Sequence, residues 1–519
     1  MISAAPPGGQ GKLVSHILPP ASKVDVLRTA AVPSETTLAR ADAAAFVLPA
    51  AEPEKSLAAL PHAQLWQALH RRARGSSKTP LLVSRLPNRR HTLAAVGFLR
   101  PEAAGFERLD LAGRLARELV PSGAAALQCH APGFDDAAAA AVLEALASAA
   151  LASAAPMPHR KSEPPAPPAL RRIDLHGAGE LDVGRCTAIA EGNHLARWLA
   201  TLPPNELDSV SYRRALQALA RREGWTFRFY DERALERLGA GAFLAVSRAN
   251  AHRGAGIVRL GYRPAARRGL RRIGLVGKGI CFDTGGINLK AQKGMYTMHG
   301  DMQGSAVAVG TLLAITRSRA PWAVDCWLAL TENEIGPRAY RPQEIVQAMN
   351  GVTIQVVHSD AEGRMALADT LTLASRAKPD LLVDFATLTG ACVNALTERY
   401  SGAFTNRPGL EPALQAVGRS SGERIWCFPM DEDFDADIES PVADVQQCSA
   451  ESKGDHILAA RFLSRFVEAD VPWVHVDLSS AERKHGLAHV PTEFTGFGVR
   501  YAAHLLADDD FLDALGTAG

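Results

Sequence analysis

Gly277-Lys278-Gly279-Ile280-Cys281-Phe282-Asp283-Thr284-Gly285-Gly286 follows directly on the apolar run Ile273 to Val276. An apolar run that ends in Asp and a glycine pair reads as a buried strand breaking into a tight turn. The glycines let backbone approach a ligand where a Cβ would obstruct it. Lys290, Asp301 and Ser359-Asp360-Ala361-Glu362-Gly363-Arg364 follow, bringing four carboxylates and two lysines into one stretch, Val276 to Arg364. Carboxylates at strand ends and in turns converge readily on a hard or borderline dication. They outnumber what one zinc site needs, and the stretch holds no His-x-x-x-His or Cys-x-x-Cys pattern. The residues alone therefore point to a carboxylate-bridged pair of metal ions. Asp360 and Glu362, two apart on an extended segment, would present both carboxylates to one side.

Around this stretch strands alternate with helices. Trp225 to Tyr230, Gly256 to Leu260, Trp322 to Leu330, Thr353 to Val357 and Leu381 to Thr387 read as strands. Cys186 to Ala200, Tyr212 to Arg222, Ser305 to Thr316 and Met365 to Ala377 read as helices. The pattern predicts an α/β fold with a mostly parallel central sheet covered by helices on both faces. Ligand-bearing loops should then lie beyond the carboxyl ends of its strands.

With 519 residues the chain exceeds what one core usually organises. The six prolines between Pro156 and Pro168 exclude helix and central strand, which makes that stretch the best domain boundary. The expected division is an irregular segment 1–40, a smaller N-terminal α/β domain 41–155, a Pro-rich linker 156–184 and a catalytic domain 185–519. In the smaller domain, Ala44 to Leu48, Pro80 to Val83, His91 to Leu99 and Ala124 to Cys129 read as strands. His62 to Arg74, Asp110 to Val120 and Asp135 to Ser153 read as helices.

The central stretch resembles the leucyl aminopeptidase (cytosol aminopeptidase) family. That family's Asn-Thr-Asp-Ala-Glu-Gly-Arg heptad is matched by His358 to Arg364, followed by Leu367-Ala368-Asp369. Its Gly-Lys-Gly-Ile-x-Phe-Asp-x-Gly-Gly-x-x-Leu-Lys signature is matched from Gly277 to Lys290. Glu332-Asn333, Ala339-Tyr340-Arg341-Pro342, Asp384 to Ala391 and Thr495 to Arg500 match in order, so the resemblance covers roughly Arg185 to Leu506. It implies a metallo-exopeptidase that removes N-terminal residues from peptides, with two divalent ions (Mn or Zn), acting as a homo-hexamer.

By this resemblance Asp283 and Glu362 touch both metals, Asp360 the more exchangeable one, and Asp301 and Lys278 the tighter one. Lys278 then has to be a neutral amine, which burial beside dications would favour. Lys290 is implied to stay charged and meet the oxyanion. Arg364 is implied to hold a bicarbonate that acts as general base. Met298, Thr387, Leu388 and Gly390 are implied to bind substrate, and Met298 suggests Leu, Met or a similar apolar first residue. His299, His358 and His456 are not needed as ligands. Three departures stand out: His358-Ser359 for Asn-Thr, Gln303 for a usual Gly, and Lys453-Gly454-Asp455-His456 for Gly-Gly-Ala before the late helix.

The net charge of +2 gives no support for nucleic acid or an anionic membrane as a partner. The local basic runs Arg71 to Arg74 and Arg267 to Arg272 read as solvated faces. Seven cysteines, several inside apolar runs, suit reduced core thiols and a cytoplasmic protein. No apolar signal core precedes Gly11. Ala137 to Ala155 nearly reaches membrane-spanning length but is mostly alanine, so a soluble helix is expected. Two other functions compete: a scaffolding or nucleic-acid-binding family member, and a two-metal phosphoesterase, whose sites usually bring in histidines.

Overall fold

The computed structural model describes residues 16–29, 34–73, 81–177, 179–265, 270–451 and 453–517. Residues 1–15 and 30–33 of the irregular segment expected at the start, Arg74 of the first basic run, and Arg267 and Arg268 of the second lie outside these residues.

An eight-stranded sheet forms the larger half. Its spatial order is Ile425–Cys427, Ser401–Thr405, Trp473–Asp477, Leu381–Ala386, Arg271–Asp283, Trp322–Asn333, Gly256–Tyr262 and Thr226–Asp231. The four central strands, from Trp473–Asp477 to Trp322–Asn333, run parallel, and antiparallel strands flank them. Strand Trp322–Asn333 is buried along its whole length, as a central strand covered on both faces must be. Alternate residues of the strands feed two cores. Leu328 and Leu330 enter the one made with helices Val183–Thr201, Ser209–Glu223 and Gln303–Arg317. Trp327 and Ala329 enter the other, with helices Gly241–Ser247, Glu362–Ser375 and Asp455–Ser464. A mostly parallel sheet covered on both faces is what the sequence predicts.

A second sheet of six strands forms the smaller half, in the order Asp25–Thr29, Arg172–His176, Ala126–His130, Ala43–Pro49, Leu93–Leu99 and Leu82–Arg85. Ala43, Ala45 and Val47 face helices Gly105–Leu119 and Asp136–Ala154, while Ala44, Phe46 and Leu48 face Trp66 of helix Ala63–Ala73. Two of these strands correct the expected boundaries. Asp25–Thr29 lies in the segment read as irregular, and Arg172–His176 lies in the segment read as linker; the two pair in parallel from Asp25↔Arg172 to Thr29↔His176. Each is five residues long, and their partners are remote in sequence, so sheet formation rather than local pattern specifies them. The proline stretch itself forms neither helix nor strand.

The alanine-rich run forms helix Asp136–Ala154, capped by the Asp135 side chain on the Ala138 N–H. It is long and apolar enough to cross a membrane by length and composition, but about two thirds of it is buried within the fold (67%). Glu144 on it pairs with Arg500 at 3.0 Å, tying the two halves together. All seven cysteines are free thiols, and six are buried.

Candidate metal centre

The parallel strands of the larger sheet deliver one functional group after another to a common edge. Asp283 ends the strand Arg271–Asp283, Asn333 ends its neighbour, Thr387 follows Leu381–Ala386, and Asp477 ends Trp473–Asp477. Two helices complete the ring: Asp301 lies just before helix Gln303–Arg317, and Glu362 opens helix Glu362–Ser375. A carboxylate at a helix N-terminus faces unsatisfied N–H groups and is favoured there.

Within this ring, carboxylate oxygens of Asp283, Asp301 and Glu362 lie within 4.8 Å of one another, all three residues buried. Lys278 threads between them. Its Nζ is 2.8 Å from Asp301 Oδ2 and 3.1 Å from Glu362 Oε1, and it donates to the Thr387 carbonyl at 2.8 Å. Room for it depends on Gly363, where a Cβ would stand 2.5 Å from Lys278 Cε. Lys290 Nζ is 2.8 Å from Asp283 Oδ2 and 2.5 Å from Asp360 Oδ1. The structure thus brings together Lys278, Asp283, Lys290, Asp301, Asp360 and Glu362.

Burial pushes the Glu362 carboxyl up to about 8, and the nearby Asp283 charge adds to this. Burial likewise pushes Asp301 up to about 6 and raises Asp360. Burial alone would lower both lysines, but the surrounding carboxylates outweigh it and hold each ammonium above its ordinary range. So many acids crowded together need more positive charge than they have. Asp301 Oδ2 and Asp360 Oδ1 make the same point. Both are buried and accept no well-directed hydrogen bond, although an ammonium nitrogen lies near each. Hard oxygen donors with unsatisfied lone pairs fit divalent cations. A neutral Lys278 requires such a cation in place, since the carboxylates by themselves keep it protonated.

Other residues orient this set, and sequence reading assigned them no role. Asn333 Nδ2 donates to Asp283 Oδ1 at 2.8 Å, to the Ser359 carbonyl at 3.1 Å and to Glu362 Oε2 at 3.3 Å. The only sequence signal for it was its place in the Glu332-Asn333 match. Ser359, one of the departures, braces the loop: its Oγ donates to the Gly285 carbonyl at 2.7 Å and accepts the Asn288 N–H at 2.8 Å. Tyr340 donates to the Ser359 carbonyl at 2.7 Å. Asn333→Ala is expected to weaken metal affinity about 10- to 100-fold, the usual cost of losing such a supporting partner. Competition with a chromophoric chelator measures this, and unchanged affinity would make Asn333 a bystander.

The centre opens into a cleft of about 630 Å³ lined by Met298, Thr387, Leu388 and Gly390, the four expected substrate contacts. Thr387 Oγ1 also donates to Asp301 Oδ1 at 2.7 Å. The Leu388 N–H is already given to Asp477 Oδ1 at 3.1 Å, so what Leu388 offers a ligand is its side chain or carbonyl. Glu398, Glu482 and Glu493 also line the cleft, together with Arg483 and Lys484, charges that no motif announced.

Arg364 is the residue that stands apart. It is buried, does not line the cleft, and is paired with Asp455, Nη2 lying 2.9 and 2.8 Å from the two carboxylate oxygens. Its Nη1 donates to the Gln447 carbonyl at 3.2 Å. The bicarbonate expected on Arg364 therefore does not fit this arrangement: a carboxylate of the chain already occupies the guanidinium.

Comparison with known proteins identifies the family. Residues 194–503 match the cytosol aminopeptidase family, catalytic domain. A probable cytosol aminopeptidase of Afipia carboxidovorans is 38% identical over 321 residues, covering 62% of this chain and 63% of that protein. The match thus spans less than two thirds of the relative's length. Among solved structures, the bottromycin maturation enzyme BotP in complex with Mn is 30% identical, with a TM-score of 0.75, covering 90% of this chain and 98% of BotP. A cytosol aminopeptidase from Coxiella burnetii is 25% identical, with a TM-score of 0.76, over 93% of this chain and 98% of that one. With all eight strands of the larger sheet, and every residue of the carboxylate–lysine cluster, inside the matched region, the chain belongs to the cytosol aminopeptidase family.

Proposed function

We propose that the protein is a metallo-exopeptidase that hydrolyses the first peptide bond of peptides with a free N-terminus, Leu, Met or a similar apolar residue being favoured there. The observation that carries this reading is the convergence of Lys278, Asp283, Asp301, Asp360 and Glu362 at one end of a cleft that also holds a second lysine. The five side chains are the proposed ligands of two divalent ions, Mn or Zn. A pair of dications supplies Lewis acidity to the scissile carbonyl and to water. Asp283, Asp301, Glu362 and Lys278, all buried, would hold the ions together with the more exposed Asp360. Asn333 keeps two of these carboxylates in place, and Lys290 donates to the oxygen that gains charge as the carbonyl is attacked. Met298, with Thr387, Leu388 and Gly390, forms the wall for the first residue. A homo-hexamer in the cytoplasm accompanies this reading by family resemblance.

The free amino group is the test. Asp301 and Lys278 are 5% and 3% exposed, so the cleft ends at them. An acetyl cap removes the basic lone pair of the amine and adds bulk at that closed end. The expected outcome is that a peptide with a free amine loses one residue, while its acetylated form is untouched; mass spectrometry after incubation with Mn²⁺ or Zn²⁺ reads this directly. Internal cleavage, or equal turnover of the capped peptide, would make the protein an endopeptidase or amidase instead.

A further inference from the structure

We propose that Asp455 is the built-in anion of Arg364, so that this arginine, two residues from Glu362, has no seat for bicarbonate or any other free anion. A guanidinium that is only 2% exposed must be paired, because an isolated buried charge is costly. Asp455 meets that requirement with both carboxylate oxygens, and the Gln447 carbonyl takes a second guanidinium nitrogen. Of the guanidinium nitrogens, Nε alone has no partner.

Asp455 is itself held in place. It opens helix Asp455–Ser464, where helix N–H groups favour negative charge, and its side chain is about three quarters buried, with 24% exposed. Burial alone would raise its carboxyl, but Arg364, with His456 and His358 behind it, holds it below the ordinary range. The carboxylate is therefore charged wherever the protein is near neutral pH. A free anion would have to displace it, leaving Asp455 without its partner. Two departures from the family pattern, Asp455 and His358, are thus within electrostatic reach of each other. Asp455 does not line the cleft, so its role is to position and neutralise Arg364 beside the metal ligands, not to touch substrate.

The test compares wild type with Asp455→Asn and Asp455→Gly as metal-loaded full-length proteins in carbon-dioxide-depleted buffer. One arm measures binding of ¹³C-labelled bicarbonate by NMR and needs no activity. One additional site in Asp455→Gly relative to wild type is expected; equal stoichiometry in the two proteins would overturn the proposal. The second arm rests on the aminopeptidase reading. Wild-type turnover is expected not to respond to bicarbonate, while Asp455→Gly loses roughly tenfold or more and recovers when bicarbonate or formate is added. Stimulation of the wild type by bicarbonate, or a fully active variant that gains no anion site, would also overturn it. If the wild type cleaves no peptide, the function assigned above fails, and the binding arm still decides this inference. Asp455→Asn, nearly isosteric, covers the case in which the glycine variant does not fold: it is expected to lose activity without gaining the site.

Discussion

Glu362→Gln should lower kcat/KM on an aminoacyl-anilide about a thousandfold or more and leave the protein folded. Glu362 is 1% exposed and stands between two groups that need its charge. Its Oε1 is 3.1 Å from the Lys278 ammonium, and its Oε2 accepts from Asn333 at 3.3 Å. Gln fills the same volume but replaces one ligand oxygen with an N–H donor, which no cation accepts. Stability points the other way. Burial and the Asp283 charge push this carboxyl up to about 8 in the metal-free protein, where it is largely neutral near pH 7, so a neutral glutamine should cost little stability there. Lys278 keeps Asp301 as a partner at 2.8 Å, so no buried ammonium is stranded. Loss of activity with a nearly unchanged Tm would therefore report on the metal centre and not on folding. Elemental analysis of the purified variant should show fewer ions per subunit than wild type. Full metal content with normal turnover would remove Glu362, and with it the proposed ligand set.

What the sequence made readable, and what it hid, follows from the range of the forces involved. The strand ending at Asp283 announced itself because its apolar run and its Gly285-Gly286 turn are local features. The larger sheet followed from several such runs separated by helical ones, and its four central strands do run parallel. Strands Asp25–Thr29 and Arg172–His176 were missed for the opposite reason. Each exists through a partner remote along the chain, and the prolines before Arg172 masked the second. The cluster of carboxylates and lysines was readable because its spacing is tied to turns and a helix start. Its supports were not: Asn333 reaches Asp283 across 50 positions, and Asp455 reaches Arg364 across 91. The departure from the family pattern marked the segment around Asp455 as unusual but could not say that its carboxylate turns inward. An ion pair of that separation is a property of packing, since only the docked helix brings the two charges together.

Lys290→Met is expected to lower kcat by about a hundred- to a thousandfold while KM stays within a few-fold of wild type. Lys290 lies at the mouth of the centre, its Nζ 2.8 Å from Asp283 Oδ2 and 2.5 Å from Asp360 Oδ1. Burial would lower its pKa, but Asp283 and Glu362 outweigh this, and the ammonium is held above its ordinary range. It therefore stays a cation, suited to meet negative charge that develops only during reaction. Interactions that grow between ground state and transition state act on kcat, whereas those already made in the ground state act on KM. The backbone at this point is fixed independently, since the Lys290 N–H donates to the Thr284 carbonyl at 3.0 Å. Methionine keeps the stem and removes only the charge, so the loop and the carboxylates should stay where they are. Lys290→Arg should restore activity only in part, because a planar guanidinium is broader and presents its protons in a fixed fork. Steady-state kinetics on the free-amine substrate, with metal content and Tm checked for each variant, separates the roles. A rise in KM alone would make Lys290 a substrate-binding residue, and a loss of bound metal would make it part of the metal-holding set.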